Sequence, residues 1–213
     1  MDRLIINEIF YSIQGESLNT GQPTIFIRLT GCPLRCVYCD TEYAFREGSQ
    51  MSFDEILKKI HTYKCNKIMI TGGEPLSQNN ILSFMKILSD NGFAVSIETS
   101  NAIGISKIDK RITIVLDIKT PGSGEEKKNL LDNYQYLKDN DQIKFVICNQ
   151  EDYEWAKKYI ISHDLFNKCE VLMSPCYETM DVKLLAENIL QDSLPARLQI
   201  QLHKLIWGDQ RGK

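Results

Sequence analysis

The amino-acid sequence predicts an α/β fold, a partial and open β/α barrel. Three observations point there. Apolar runs of strand length alternate with helical patterns along most of the chain, which implies a mostly parallel sheet with helices outside it. About six or seven such β/α steps are visible, fewer than the eight of a closed barrel. The chain has 213 residues, enough for one sizeable core but short of the ~250 typical of a full eightfold barrel. An open doubly wound sheet shares the alternation, and periodicity alone does not separate the two.

The elements follow in order. "TIFIRLT" (24–30) reads as a strand, with Ile25, Ile27 and Leu29 alternating against Thr24, Phe26 and Arg28. Period-two alternation puts Arg28 on the face away from the aliphatics. "MSFDEILKKI" opens a helix. Ser52 can cap it, Glu55 completes a capping box, and Met51 can staple against Ile56. "KIMIT" (67–71) is a short apolar run that stops at Gly72-Gly73, a buried strand by length and flanks. "NILSFMKILSDNG" has helical spacing and a Gly92 stop. "FAVSIET" and "ITIVLDI" read as strands, followed by the loop "KTPGSGEEKKN". "QIKFVI" is a strand, "EDYEWAKKYIISH" a helix, "EVLMS" a strand and "DVKLLAENILQ" a helix. "RLQIQLHK" closes the series as a last strand, with Arg197, Gln199, Gln201 and His203 on one face and Leu198, Ile200 and Leu202 on the other. No linker-like segment or repeat interrupts the pattern, so 1–213 reads as a single domain.

Composition narrows the class. A net charge of −3 shows no basic surplus that would advertise nucleic-acid binding. The opening "MDRLIINEIF" lacks the long apolar core of a signal peptide. No apolar run approaches the ~20 residues of a membrane-spanning helix. The expectation is a cytoplasmic protein with no membrane or nucleic-acid partner. Seven cysteines, an odd number, argue against a disulfide framework in such a chain. Cys65, Cys148, Cys169 and Cys176 sit beside apolar residues and read as small buried hydrophobes.

The other three stand in one short loop, "TGCPLRCVYCDT", at spacing C-x3-C-x2-C. Three thiolates can ligate three corners of an iron–sulfur cube and leave one iron open for a ligand. A structural zinc site is the plainer alternative. It usually closes with four ligands, and a fourth would have to come from a distant Cys or from His61, His163 or His203. In a parallel barrel, sites lie at the carboxyl ends of strands. The cysteine loop, "GGEP", "TSN", "DIKTPGSG" and "SPCY" each follow a predicted strand and so fall on one rim.

Cys32, Cys36, Tyr38 and Cys39, with "GGEP" (Gly72–Pro75) after the next strand, resemble the motifs of radical S-adenosylmethionine (SAM) enzymes. "EIFYSIQGES", "FIRLTGCPLRCVYCDT", "SIETSN", "DIKTPGSG" and "LPARLQIQLHKLIW" extend the likeness over nearly the whole chain, and together they resemble the 7-carboxy-7-deazaguanine synthase family. The resemblance implies a reduced radical SAM barrel, a dimer, one [4Fe–4S] cluster on Cys32, Cys36 and Cys39, SAM, and Mg²⁺ at Thr41. It implies ring contraction of 6-carboxy-5,6,7,8-tetrahydropterin with loss of ammonia, SAM being regenerated, and flavodoxin or ferredoxin as electron donor.

Residue by residue, it places Tyr38, Cys39, Asp40, Gly73, Glu74, Asn101, Asp117, Ile118, Lys119, Ser174, Pro175, Cys176 and Tyr177 around SAM. Ile13, Gln14, Gly15, Arg28 and Thr99 fall to the substrate. Two positions depart from the family pattern, since Asn101 stands where Gly is common and "DIK" replaces Ser-Pro-Lys. A glycyl-radical enzyme activase shares the two short motifs and is the rival reading. An inward guanidinium at Arg28 needs an anion, and a carboxylate suits its fork. The bland alternative is an edge-strand Arg in solvent.

Overall fold

A computed structural model describes residues 2–213. Nine strands form one open sheet in the order β3-β1-β2-β4-β5-β6-β7-β8-β9. From β2 (Pro23–Leu29) through β4 (Lys67–Gly72), β5 (Ala94–Ser100), β6 (Thr113–Ile118), β7 (Gln142–Ile147) and β8 (Glu170–Pro175) to β9 (Arg197–Leu198), every pairing is parallel. The sheet does not close on itself. It is a partial barrel, as the alternation predicts.

Each predicted strand from 24 to 174 is present within a residue or two of its predicted ends. The helices α1 (Phe53–Ile60), α2 (Ile81–Asp90), α3 (Gln150–Ser162) and α4 (Val182–Gln191) also lie where helical spacing puts them. The α1 capping box is formed: Ser52 N–H donates to Glu55 Oε2 at 2.7 Å, and Glu55 N–H donates to Ser52 Oγ at 3.3 Å. One face of α1, Phe53, Ile56 and Ile60, is buried in the main core. Gly92 ends α2 at φ +82°, a left-handed conformation that glycine adopts without steric cost.

The barrel has two apolar layers of unequal size. Outward-facing Ile25, Ile27, Leu29, Ile68, Ile70, Ile97, Leu116, Phe145 and Met173 pack under the helices in one large core. Inside, a small cluster of Phe26, Met69 and Val115 is buried, joined by Phe10, whose ring stacks on Phe26 at 4.8 Å. The stability therefore comes from the outer layer, at roughly 25 cal/mol per Å² of apolar surface removed from water. The inner face is left free to be polar.

Two elements differ from the sequence reading. Residues 3–13 form a long strand, β1, paired antiparallel to β2 on one side and to β3 (Ser49–Ser52) on the other. The expected last strand is a correction. Only Arg197 and Leu198 pair with β8. The chain then leaves the sheet edge and becomes α5 (Leu202–Trp207). Gln199 N–H still donates to Met173 O at 2.9 Å, but beyond it the alternation finds no neighbour and the ladder stops. Arg197 points to solvent and pairs with Glu170 at 3.0 Å, so the four polar residues do not share one inward face.

The exit from β9 has a purpose in the fold. Leu202 N–H donates to Gly15 O at 3.0 Å, and Gln201 Nε2 donates to Glu16 Oε1 at 2.9 Å. The β1–β2 connection thus meets the C-terminal segment across the opening of the sheet. Among the described residues, no helix is long and apolar enough to cross a membrane.

Candidate active site

The inner face of the barrel opens into a cavity of about 650 Å³. Strand register arranges its polar wall in rows. Arg28 on β2 lies beside Thr71 on β4, and Thr71 Oγ1 donates to Glu98 Oε2 on β5 at 3.1 Å. Glu98 lies beside Val115 on β6. One row toward the carboxyl rim, Asp117 on β6 lies beside Lys144 on β7. One row further, Val146 lies beside Ser174 on β8.

The cysteine loop covers the rim. Its backbone is strapped down at several points: Val37 N–H donates to Ser123 O at 3.1 Å, Arg35 N–H to Glu125 Oε1 at 2.5 Å, and Gly31 N–H to Ala44 O at 2.8 Å. Glu74 N–H donates to Gly31 O at 2.7 Å, which clasps the cysteine loop to the "GGEP" turn. The clasp is so close that a Cβ on Gly73 would lie 2.0 Å from the Gly31 carbonyl oxygen, which is why glycine is needed there.

Cys32, Cys36 and Cys39 are free thiols, and all three line the cavity. Burial pushes each of them up, Cys36 to about 11, so ligation to metal must release protons. Among the described residues, no three His, Cys, Asp or Glu side chains converge on a single ion position. A cubane asks for one thiolate per iron instead.

Two buried polar atoms at this end have no partner among the described residues, Tyr38 Oη and Asp117 Oδ1. The other Asp117 oxygen lies 3.1 Å from Lys119 Nζ. Burial pushes the Lys119 ammonium down, and Asp117 together with Cys36 and Cys32 more than reverses that. Three open thiols, a glycine clasp and unmatched polar atoms beside them fit a cluster with a polar ligand on it.

Most of the residues expected from the sequence do meet here. Ile13, Gln14, Gly15, Arg28, Tyr38, Asp40, Thr41, Gly73, Thr99, Asp117, Lys119, Ser174, Pro175, Cys176 and Tyr177 line the same cavity as the three cysteines. Three others lie behind its wall. Ile118 is fully buried in the outer core. Asn101 is buried against Tyr134 and Asn133, 3.0 and 2.8 Å away. Glu74 is fully buried: Oε1 accepts from Leu76 N–H and Thr99 Oγ1, and Oε2 accepts from Ser100 N–H and Ser100 Oγ, at 2.6–2.9 Å. Burial pushes this carboxyl up, and those four donors offset only part of that.

Arg28 does face inward, but its Nε already donates to Glu8 Oε1 at 2.7 Å. Glu8 was not singled out in the sequence. Nor were Glu16, Glu98 and Lys144, which also line the cavity or its floor. Lys144 Nζ lies 2.5 Å from Glu16 Oε2. The available signal was a charge in the middle of an apolar strand, Lys144 in "QIKFVI" and Glu98 in "SIETS". His203 packs on Gly15 so closely that a Cβ there would meet its Nδ1 at 1.9 Å. Residues 208–213 also reach the cavity, and Arg211 lies over the Tyr43 ring at 3.9 Å and donates to Glu47 Oε2 at 2.8 Å. Of the four cysteines read as buried hydrophobes, Cys169 and Cys176 are buried, while Cys65 and Cys148 are only half-buried.

An incomplete parallel barrel with three thiols on the loop after its first parallel strand defines a class, the radical SAM enzymes. Residues 26–116 match the family model described as the Radical SAM superfamily. The chain is 40% identical over 213 residues to a 7-carboxy-7-deazaguanine synthase of Chlorobaculum tepidum, covering 98% of this chain and 97% of that one. It is 43% identical over 203 residues to one from Methanospirillum hungatei, covering 94% and 84%. The chain belongs to the 7-carboxy-7-deazaguanine synthase family. In fold it matches the crystal structure of QueE from Escherichia coli with a TM-score of 0.78 at 24% identity, over 94% of this chain and 95% of that one. Membership implies a [4Fe–4S] cluster and SAM.

Proposed function

We propose that this chain converts 6-carboxy-5,6,7,8-tetrahydropterin to 7-carboxy-7-deazaguanine with loss of ammonia, and that it acts as a single domain over 1–213. The observation that carries this reading is that Cys32, Cys36 and Cys39 open onto the same cavity as the inward guanidinium of Arg28. Cys32, Cys36 and Cys39 would hold a cluster that, with SAM, would supply the radical chemistry for hydrogen abstraction at C6 of the substrate, SAM being used catalytically.

The chain's own residues do the rest. Cys32, Cys36 and Cys39 hold the cluster. The SAM side of the cavity is formed by Tyr38, Asp40, Gly73, Asp117, Lys119 and the segment Ser174, Pro175, Cys176 and Tyr177. Asp117 and Tyr38 offer the unmatched polar atoms there. Asn101, Ile118 and Glu74 act from behind the wall, Glu74 by holding Thr99 and Ser100 in place. The substrate side is formed by Ile13, Gln14, Gly15, Arg28 and Thr99. Glu8 accepts from Nε of Arg28 and Gly72 O from its Nη1 at 3.4 Å, which fixes the guanidinium and leaves Nη2 for the substrate carboxylate. The apolar inner patch of Phe10 and Phe26 shields this end from water.

We assign Mg²⁺ to Thr41; in support, Thr41 Oγ1 lies on the cavity edge and donates to Asp40 Oδ1 at 2.7 Å. A flavodoxin or ferredoxin supplies the electron, the protein works as a homodimer, and it resides in the cytoplasm.

The test is anaerobic. The reconstituted, reduced enzyme is given SAM, Mg²⁺ and 6-carboxytetrahydropterin, and products are followed by mass spectrometry. The expected result is 7-carboxy-7-deazaguanine in large excess over 5′-deoxyadenosine. Cleavage of SAM without the deazaguanine would overturn the substrate assignment and return the glycyl-radical activase reading.

A further inference from the structure

Glu98 is a cavity carboxylate to which neither reading gives a role. The other carboxylates on the inner wall each have a cation bonded to them: Glu8 has Arg28, Glu16 has Lys144 and Asp117 has Lys119. Asp40, on the cysteine loop, is exposed. Glu98 has no bonded cation among the described residues. Its one hydrogen bond comes from Thr71, onto Oε2. The position is costly, since burial pushes its carboxyl up and the more distant Lys144 only partly offsets that. A carboxylate left in such a place lacks donors, and the cavity in front of it is where they would arrive.

Its place in the wall says which donors. Arg28, Thr71 and Glu98 occupy one row across β2, β4 and β5. Neighbouring strands are ~4.8 Å apart, so Arg28 and Glu98 stand roughly 10 Å from each other along the row. The proposed substrate carries its carboxylate at C6, on one end of a flat bicycle. At the other end it presents two adjacent donors, the N3–H and the 2-amino group. A carboxylate accepts such a pair with both oxygens, as it does from an arginine fork.

We infer that Glu98 is the residue that reads the 2-amino-4-oxopyrimidine edge of the substrate, with Arg28 reading the carboxylate at the far end. The inference rests on the pterin substrate proposed above. It makes Glu98 the specificity determinant for a 2-amino pyrimidinone over its 2-oxo counterpart. A site built to accept two hydrogen bonds rejects a ligand that puts a carbonyl oxygen in front of one of them, because two acceptors then face each other. A glutamine in that position has the opposite preference. Its carbonyl accepts from N3–H and its amide donates to a 2-oxo group.

The experiment uses the reconstituted holoenzyme and two compounds, 6-carboxytetrahydropterin and the corresponding 2-oxo compound, 6-carboxytetrahydrolumazine. Wild type, Glu98→Gln and Glu98→Ala are compared by kcat/KM and by kcat and KM separately. Iron content and thermal midpoint serve as controls for folding. Wild type is expected to favour the pterin by 100-fold or more. Glu98→Gln is expected to lose about 100-fold on the pterin, mainly in KM, and to turn over the 2-oxo compound better than wild type does. Glu98→Ala is expected to lose the preference without acquiring the reverse one. Wild-type turnover of the pterin, with Glu98→Gln and Glu98→Ala both keeping its preference within threefold, overturns the inference and leaves the proposed function standing. Equal losses on both compounds would assign Glu98 a structural role and also overturn it. Failure of the wild type on both compounds overturns the proposed function, and the inference falls with it.

Discussion

The ammonium of Lys144 on β7 lies 2.5 Å from Oε2 of Glu16 in the β1–β2 connection, across 128 positions of sequence. Gln201 Nε2 reaches the other oxygen of Glu16 at 2.9 Å. One carboxylate therefore ties together the wall of the barrel, the loop that plugs it and the segment that closes its open edge.

That tie sets an acid limit on stability. Burial pushes the Glu16 carboxyl up, but the Lys144 charge and the hydrogen bonds from Lys144 and Gln201 outweigh it and bring it down from 4.5 to about 2. A depressed carboxyl contributes stability that is full above its unfolded value and is lost as pH falls through its folded value. The window is thus pH 4.5 down to about 2, with on the order of 3 kcal/mol at stake at ~1.4 kcal/mol per unit. Urea midpoints measured across that window should fall for wild type and stay flatter for Glu16→Gln. At neutral pH the variant should be less stable by about 3–5 kcal/mol, because Lys144 is left buried without its partner. Equal slopes for the two proteins would show that the tie does not set the limit.

The cysteines should divide into two groups. Cys32→Ala, Cys36→Ala and Cys39→Ala are each expected to abolish bound iron in the proportion of a cube and to reduce product formation by at least ~1000-fold, since each removes a ligand and not merely packing. Cys169→Ala, in the outer core, should keep its iron and lose only about 1 kcal/mol of stability. Iron and sulfide analysis of anaerobically reconstituted protein, paired with thermal melts, separates the groups.

Glu74 should behave as a girder beneath the SAM site. Its carboxylate satisfies two backbone N–H groups and two hydroxyls, all at 2.9 Å or less. Truncation to Ala leaves those donors buried and unmatched, at a cost of about 2–4 kcal/mol. Glu74→Gln keeps two acceptor lone pairs and should cost roughly half of that. Thermal melts of the cluster-free protein read this directly. A Glu74→Ala protein as stable as wild type but unable to bind SAM would instead make Glu74 a direct ligand.

Gly73 and Gly104 form a contrasting pair. A methyl on Gly73 would sit 2.0 Å from the Gly31 carbonyl oxygen, whereas one on Gly104 meets nothing within 4 Å. Gly73→Ala is expected to spring the clasp between the cysteine loop and the "GGEP" turn, with loss of both iron retention and at least about 2 kcal/mol of stability. Gly104→Ala should change stability by no more than about ±1 kcal/mol. Protease susceptibility of the 31–46 segment offers a local readout.

What was legible in the sequence was local or periodic. The C-x3-C-x2-C spacing is contained in one loop, and the capping box at Ser52 and Glu55 closes over three residues. The outward strand faces repeat every second residue, so Ile25, Ile27 and Leu29 announce the core, and Arg28 its opposite side. The strand β1 was not legible. Its burial is uneven, with Ile5 and Tyr11 exposed and a bulge between Ile6 and Glu8, because it sits near the antiparallel edge and not in the doubly covered wall. The last strand differs for the converse reason, a clean alternation in "RLQIQLHK" with no neighbour to pair with beyond Gln199.

The sequence by itself determined the class of this protein, because three thiols in one loop followed by "GGEP" are a chemical device written in consecutive residues, and the β/α alternation is a one-dimensional pattern. Only the tertiary structure decided how the charges are shared out. It gave Arg28 to Glu8, Lys144 to Glu16 and Lys119 to Asp117, buried Glu74 behind the wall, and left Glu98 facing the cavity with Thr71 alone. Pairings between strands tens of residues apart depend on register and on the curvature of the sheet, and neither is encoded in any short stretch of chain.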